Sequence, residues 1–352
     1  MTAMVRSFHQ VPGAVQFLSV LAAFAVGLLL ILGTGASLSQ SVTAFIQGAF
    51  GSPYAISVSI NRAVIFALVG LGFVIAARAG LTNVGGEGQI AVGGMAATAV
   101  ALYGGAESLI SPLSFVYPML VACIAGALWG SIAGVLKVRA GTNEVISTLL
   151  LSFIAIWLVY WSVQSTDLLR QPMTSAATLP ESLSIPQNTQ IPLLTGSYSS
   201  PVTIGAIITL VLAVLAWLLL TRSVLGFRLR LVGENPTAAL RAGVPVDRDT
   251  ILALAIAGAF GGLAGAMMLQ GEQYALKAGF SSNYGFDGLV VGLLARGRVS
   301  GVLIGALLFG FLRSGGIMME MAASVPTALV QIVQGLIVIF VAGSAYWLEA
   351  KR

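Results

Sequence analysis

Residues 202–220 run for nineteen positions without a charge. As a helix that run is about 28 Å long, close to the ~30 Å hydrocarbon thickness of a bilayer. Lipid supplies no hydrogen-bonding partners, so a segment placed there must pair its own N–H and C=O groups, and a lone apolar run does so as an α-helix. Runs of the same kind recur at 15–33, 63–77, 89–103, 117–136, 144–161 (from Glu144 or the uncharged Val145), 251–269, 302–319 (interrupted by Arg313) and 327–345. A shorter piece, 286–295, has ten residues, about 15 Å of helix or half a bilayer. The expected fold is an all-α polytopic membrane protein of about ten transmembrane spans in two pseudo-symmetric halves, with short or re-entrant helices.

Composition agrees. The chain of 352 residues is 57% hydrophobic and 8% charged, where ordinary globular domains carry about 25% charged residues. A single transmembrane domain over 1–352 is expected, with a first half at about 15–163, a periplasmic segment at about 164–201 and a second half at about 202–345. Pro172, Pro180, Pro186, Pro192 and Pro201 mark the separating segment. Residues 34–60 are uncharged but punctuated by Gly48, Gly51 and Pro53, and are read as an outer-surface element rather than a span. Cys123 is the only cysteine, which excludes an internal disulfide. Arg6 ahead of the first run imitates a signal peptide, but that run is long and no clear cleavage site follows, so a retained span is expected.

Lysine and arginine placement sets the orientation. With the N-terminus inside, thirteen of the seventeen basic residues face the cytoplasm: Arg6, Arg78, Lys137, Arg139, Arg222, Arg228, Arg230, Arg241, Arg248, Arg296, Arg298, Lys351 and Arg352. Arg62, Arg170 and Lys277 fall outside, and Arg313 falls within a span. Both termini are thus expected in the cytoplasm. Tyr103, Tyr117, Tyr160 and Trp161 gather near one interface, and Tyr346 with Trp347 near the other, as an aromatic belt requires. The net charge of +5 is scattered through loops rather than collected on one face, so nucleic acid is not an expected partner.

This orientation places a cytoplasmic loop at 221–250, TRSVLGFRLRLVGENPTAALRAGVPVDRDT, where much of the charge of the chain is gathered. It is more than a passive connector. Asn235 can cap a helix, and Pro236 suits its first position, where a missing N–H loses nothing. Residues 237–242 are compatible with about two turns, and Gly243 before Val244 and Pro245 ends them. A helix that short is marginal alone in water and must pack against its own spans or against another protein.

What the chain lacks narrows its chemistry. None of its three lysines is followed by Ser or Thr, so no GxxxxGK[ST] phosphate loop exists. The one histidine, His9, precedes the first span, which excludes a histidine base or histidine-rich metal site within the membrane. The positive feature is a repeated motif. Residues 83–88, NVGGEG, and 283–288, NYGFDG, share the pattern N-x-G-x-[D/E]-G two hundred residues apart. Paired interruptions at matching positions of two halves point to a site at the repeat interface, although a chain with 42 glycines also matches short patterns by chance. Glu87 and Asp287 are ionisable groups in or beside spans, where insertion costs about 3 kcal/mol and a cavity is the usual neighbour. Asn83, Gln89 and Asn283 add neutral hydrogen-bonding groups suited to hydroxyls or amides. These five residues are the candidate polar path. Glu144 reads as an ordinary first-turn acid, and Arg313 as a path residue or a partner for Glu320.

Four stretches carry a family resemblance: 79–89 (AGLTNVGGEGQ), 142–149 (TNEVISTL), 232–239 (VGENPTAA) and 285–288 (GFDG). With the span pattern, they resemble the permease subunits of bacterial ABC importers, most closely the nucleoside/simple-sugar group, from about Arg62 to the C-terminus. The resemblance implies a bacterial inner-membrane importer subunit that is not itself an enzyme. It implies two ATPase subunits that bind ATP and magnesium, a second permease subunit, identical or paralogous, and an extracytoplasmic binding protein. No cofactor is expected in this chain. Gly233, Glu234, Asn235, Pro236, Thr237, Ala238, Arg241 and Gly243 then form the coupling segment that sits in a groove of the ATPase. The sequence departs from the family pattern at Gly86 and in 150–153. A different class of function also fits the two acids, a self-contained ion-coupled transporter or channel using Glu87 and Asp287.

Overall fold

A computed structural model describes residues 13–33, 35–174 and 179–349; Arg6, His9, Lys351 and Arg352, and with them the placement of the two termini, lie outside the described residues. The chain is all-α in these parts. Its helices are α1 (Gly13–Gly33), α2 (Leu38–Phe50), α3 (Pro53–Arg78), α4 (Gly86–Tyr103), α5 (Leu113–Ala140), α6 (Glu144–Gln164), α7 (Gly205–Arg222), α8 (Val224–Glu234), α9 (Pro236–Arg241), α10 (Val246–Met268), α11 (Tyr284–Leu294), α12 (Val299–Ala323) and α13 (Thr327–Glu349). Among the described residues, six helical stretches are long and apolar enough to cross a membrane: α3, α5, α6, α7, Val246–Gln273 and α12. Of the other expected spans, α4 carries Glu87 in its first turn and α11 has only 11 residues.

Residues 35–60, read as broken by Gly48, Gly51 and Pro53, are mostly helical, in α2 and the first turns of α3. Pro53, read as a break, occupies the first position of α3, and Ser52 caps it by accepting from the Ala55 N–H at 3.1 Å. Ser57 and Ser59 turn their hydroxyls onto the carbonyls of Pro53 (2.6 Å) and Ala55 (2.9 Å), which hides their polarity within the helix. Arg62 lies inside a 26-residue helix and donates to Ser314 Oγ at 3.0 Å.

The chain forms two compact units. One comprises Met1–Ala63, Ser197–Pro201 and Leu307–Arg352; the other comprises Val64–Gly196 and Val202–Ala306. In the first, α1 packs along α13. In the second, α10 lies in the middle, against α5 and α4. Small residues make that packing possible. A side chain at Gly130 would meet Gly258 Cα at 3.1 Å, and one at Gly134 would meet Ile251 Cα at 2.8 Å, so α5 and α10 run antiparallel with their backbones nearly touching. Where lipid leaves no hydrophobic drive between helices, such close contact supplies dispersion energy instead.

The proline-marked segment also folds onto this unit. The N–H groups of Ser182, Ile185 and Ile191 donate to the carbonyls of Leu276 (2.8 Å), Tyr274 (2.8 Å) and Gln270 (3.0 Å). Those acceptors belong to or follow a π-helical turn, Leu269–Gln273, that ends α10, and the fully buried Gln270 donates to the carbonyls of Phe115 (3.0 Å) and Thr189 (2.6 Å).

Candidate functional site

The two glycine motifs meet. The N–H groups of Asn283 and Gly285 donate to the Glu87 carboxylate, at 2.8 Å to Oε1 and 2.7 Å to Oε2. Ser281 and the Phe286 N–H bond the same group. Asn283 sits in the left-handed region (φ 67) at the start of α11, and its side chain makes no cap of its own. The first amides of a helix have no partner within it, so Glu87 acts as the cap from another part of the chain, with its negative charge at the positive end of the dipole. Glycine is required for this approach. A Cβ on Gly285 would fall on the Glu87 backbone nitrogen, and one on Gly86 would lie 3.1 Å from the Gly285 carbonyl oxygen.

These contacts also fix how far the first motif reaches into the fold. Gly86 lies opposite Val69, 2.9 Å from its Cγ1 to a built Cβ, and Val69 precedes the end of α3 at Arg78 by nine residues. At ~1.5 Å per residue the chain has doubled back about 13 Å beside α3 before α4 begins. Glu87 is 2% exposed and lies beside the body of α3. Helix α11 runs alongside α3 in the same direction: Tyr284 stacks on Phe66 (centroids 4.9 Å apart), and side chains at Gly288 and Gly292 would press on Val69 Cβ (2.6 Å) and Phe73 Cβ (2.8 Å).

Asn83 and Gln89 are buried and bonded to each other. Asn83 Nδ2 donates to Gln89 Oε1 (3.1 Å), Gln89 Nε2 donates to Asn83 Oδ1 (3.3 Å), and the Gly85 N–H donates to Asn83 Oδ1 (2.9 Å). The structure thus gathers Asn83, Glu87, Gln89 and the backbone of Asn283 in one cluster. The Asn283 side chain is exposed, and Asp287 is half-buried in the first turn of α11. The departures from the family pattern fall against this cluster. Ser152 accepts from the Gly88 N–H (3.3 Å) and Thr148 from the Val84 N–H (3.1 Å), so the N-terminal half of α6 cradles the motif. Asn143 caps α6, accepting from Val145 at 2.8 Å, and Glu144 pairs with Lys137 at 2.6 Å.

The expected cytoplasmic loop is helical nearly throughout, because α10 begins at Val246 rather than at 251. Asn235 serves two helices: its N–H donates to Leu231 O (3.0 Å) to end α8, and its side chain accepts from the Ala238 N–H (3.0 Å) to start α9. Gly243 follows in the left-handed region (φ 79). Helix α9 packs one residue against its own chain, Ala239, which joins Val232 and Val244 in a small apolar cluster. Glu234, Asn235, Pro236, Thr237, Ala238 and Arg241 stay exposed, as does Leu240 at 65%. Fully buried Asp249 at the start of α10 accepts from Arg228 of α8 at 2.8 Å and ties the base of this unit together.

Several participants carry no signal of their own in the sequence. Gly80 and Gly233 are in contact: a Cβ on Gly233 would lie 2.8 Å from Gly80 N. The Arg78 guanidinium donates to the Gly297 carbonyl at 3.2 Å.

Comparison with known proteins finds relatives over most of the chain. A family model described as "Branched-chain amino acid transport system / permease component" matches residues 55–342. The chain is similar to the guanosine ABC transporter permease protein NupP of Bacillus subtilis (strain 168), 35% identical over 94% of this chain and 93% of that protein. It is similar to the glucose ABC transporter permease protein TsgB13 of Haloferax volcanii, 32% identical over 94% of this chain and 87% of that protein. A second Bacillus subtilis guanosine permease, NupQ, is 28% identical over 70% of this chain and 76% of its own length. No solved structure matches the chain significantly. With nearly its whole described length matched by the family and by a relative of equal extent, the chain belongs to the branched-chain amino acid transport system permease components.

Proposed function

We propose that this chain is the membrane-embedded permease subunit of an ATP-binding-cassette importer and passes a nucleoside, powered by separate ATPase subunits that bind ATP and magnesium. The observation that carries the substrate is the 35% identity to a guanosine permease across 94% of the chain. A simple sugar is the second reading, favoured by the 32% identity to a glucose permease. The second permease of Bacillus subtilis, matched less well and over less of its length, supports pairing with a paralogue rather than with a copy of this chain. An extracytoplasmic protein delivers the solute.

The remaining topology belongs to the same proposal: about ten crossings, α4 and α11 being the short ones; halves at about 15–163 and 202–345 around a periplasmic segment at 164–201; and both termini in the cytoplasm of a bacterial inner membrane. Asn83, Gln89, Asn283 and Asp287 are the polar groups along the path. Glu87 supports that region as a structural cap. Its carboxylate is occupied by backbone amides, which speaks against an ion-coupled carrier that would titrate it. The exposed face of α9, in the segment from Gly233 of α8 to Gly243, engages the ATPase.

The test is uptake of radiolabelled guanosine by proteoliposomes holding this chain with its co-expressed ATPase, partner permease and binding protein. Uptake that requires ATP and competes with nucleosides but not with glucose is expected. Ion-driven uptake by the chain alone would overturn the reading.

A further inference from the structure

The connection between α3 and α4 touches three things at once, and the three together form a mechanical unit. Its first turn closes α3 through Gly80, in the left-handed region (φ 75), with the Gly80 N–H on Ala77 O (3.0 Å) and the Leu81 N–H on Ala76 O (3.2 Å). This paired closure holds the turn rigidly to the helix. On the outside of that turn lies the end of α8. A Cβ on Gly233 would strike the Arg78 carbonyl oxygen and lie 3.0 Å from Ala79 C, so backbone rests on backbone with no flexible side chain between them. Gly233 stands two residues before Asn235, the residue shared by α8 and α9.

At its other end the connection holds α11. Glu87 takes the amides of Asn283 and Gly285 at the start of that helix, and Arg78 takes the Gly297 carbonyl just beyond its finish. The 11-residue helix is therefore gripped at both ends by one stretch of chain, 78–87. Within the stretch, slack is removed by buried Leu81 and by the Asn83–Gln89 pair. The Arg78 guanidinium also lies within the field of Arg230 and Glu234 on α8.

We propose that residues 78–87 are the strap through which displacement of the α8–α9 segment moves the short helix α11, and that Arg78, Gly80 and Gly233 are positioning residues for transport. This rests on the importer reading above and adds the route: the docking segment acts on α11 through a backbone contact and two end-clamps, in parallel with its direct continuation into α10. Packed backbone and hydrogen-bonded clamps are contacts through which two elements can be energetically coupled.

The experiment uses the assembled complex in proteoliposomes and compares hydrolysis with and without substrate-loaded binding protein. Arg78→Ala removes the Gly297 clamp but leaves the Gly80–Gly233 contact. The expected result is wild-type complex yield and basal hydrolysis, stimulation by loaded binding protein falling towards one-fold, and uptake falling about tenfold; Arg78→Lys restores part of both. Wild-type stimulation and uptake in Arg78→Ala would overturn the strap, as would a loss that follows yield and basal hydrolysis in proportion. A wild-type complex whose hydrolysis ignores loaded binding protein would instead overturn the importer reading.

Discussion

Glu87 and Gly285, 198 residues apart, are joined by a 2.7 Å hydrogen bond from the Gly285 amide to the Glu87 carboxylate, and with the Asn283 amide at 2.8 Å that bond caps α11. A buried carboxylate is costly unless its lone pairs are filled, and here backbone donors fill them.

Replacing Glu87 with Ala removes the acceptor of the part-buried Asn283 amide and of the buried Gly285 amide. Each such group costs about 1–3 kcal/mol, so a loss of roughly 3 kcal/mol is expected for the variant. Glu87→Gln keeps one acceptor oxygen and should lose about half as much. Melting of the detergent-solubilised complex checks the ranking: wild type above Gln above Ala. An Ala variant that melts with the wild type would show that the cap contributes nothing.

Gly285→Ala is the steric counterpart. Its new methyl would fall on the backbone of Glu87, with no side chain to swing aside. The two motifs would have to part, so assembled complex should fall at least several-fold. Gly279→Ala is the control: it has a strained φ of 73 but open space around it, and should cost only about 1 kcal/mol. Quantified complex in membranes of the two strains decides it, and equal yields would mean that the motif contact is not needed for assembly.

Much of this was legible in the sequence, for identifiable reasons. Asn235, Pro236 and Gly243 are local signals with local causes, and α9 forms where they place it. The spacing of the two N-x-G-x-[D/E]-G motifs reports contact because glycines let two backbones meet. What remained hidden depended on distant partners. Glu87 was read as an open acid because nothing near it in sequence supplies its donors. Residues 34–60 were read as broken because Gly51 and Pro53 end one helix and start another in a way the sequence alone does not separate. The segment at 164–201 has no periodicity to read, since its backbone bonds run to an irregular turn after α10 rather than to a regular ladder.

Asp249→Ala should loosen the base of the docking segment. Asp249 is fully buried, while Arg228 keeps 29% of its side chain exposed. Removing a fully buried partner costs about 3–5 kcal/mol; water at Arg228 screens part of that, so roughly 1–2 kcal/mol is expected. If α8–α9 docks on an ATPase subunit, as proposed, loss of the Arg228–Asp249 tie between α8 and α10 should lower ATPase affinity further than it lowers the melting point. A co-purification titration beside a melt separates these, and an unchanged ATPase stoichiometry at limiting concentration would count against the tie.

Leu240 and Ala239 are neighbours on α9 with opposite environments, 65% and 2% exposed. Ala239→Asp buries a charge in the small cluster with Val232 and Val244 and should unseat the helix, lowering stability and function together. Leu240→Asp touches nothing of that cluster, so its own stability should shift by no more than about 0.5 kcal/mol. If α9 enters a groove of the ATPase, however, Leu240 is its apolar anchor, and truncated anchors at the centre of an interface cost about 2 kcal/mol or more. Leu240→Asp is therefore expected to weaken ATPase binding at least thirtyfold with its melting curve intact, read by co-purification at falling ATPase concentration. Retained binding together with wild-type uptake would place the ATPase contact elsewhere on the chain.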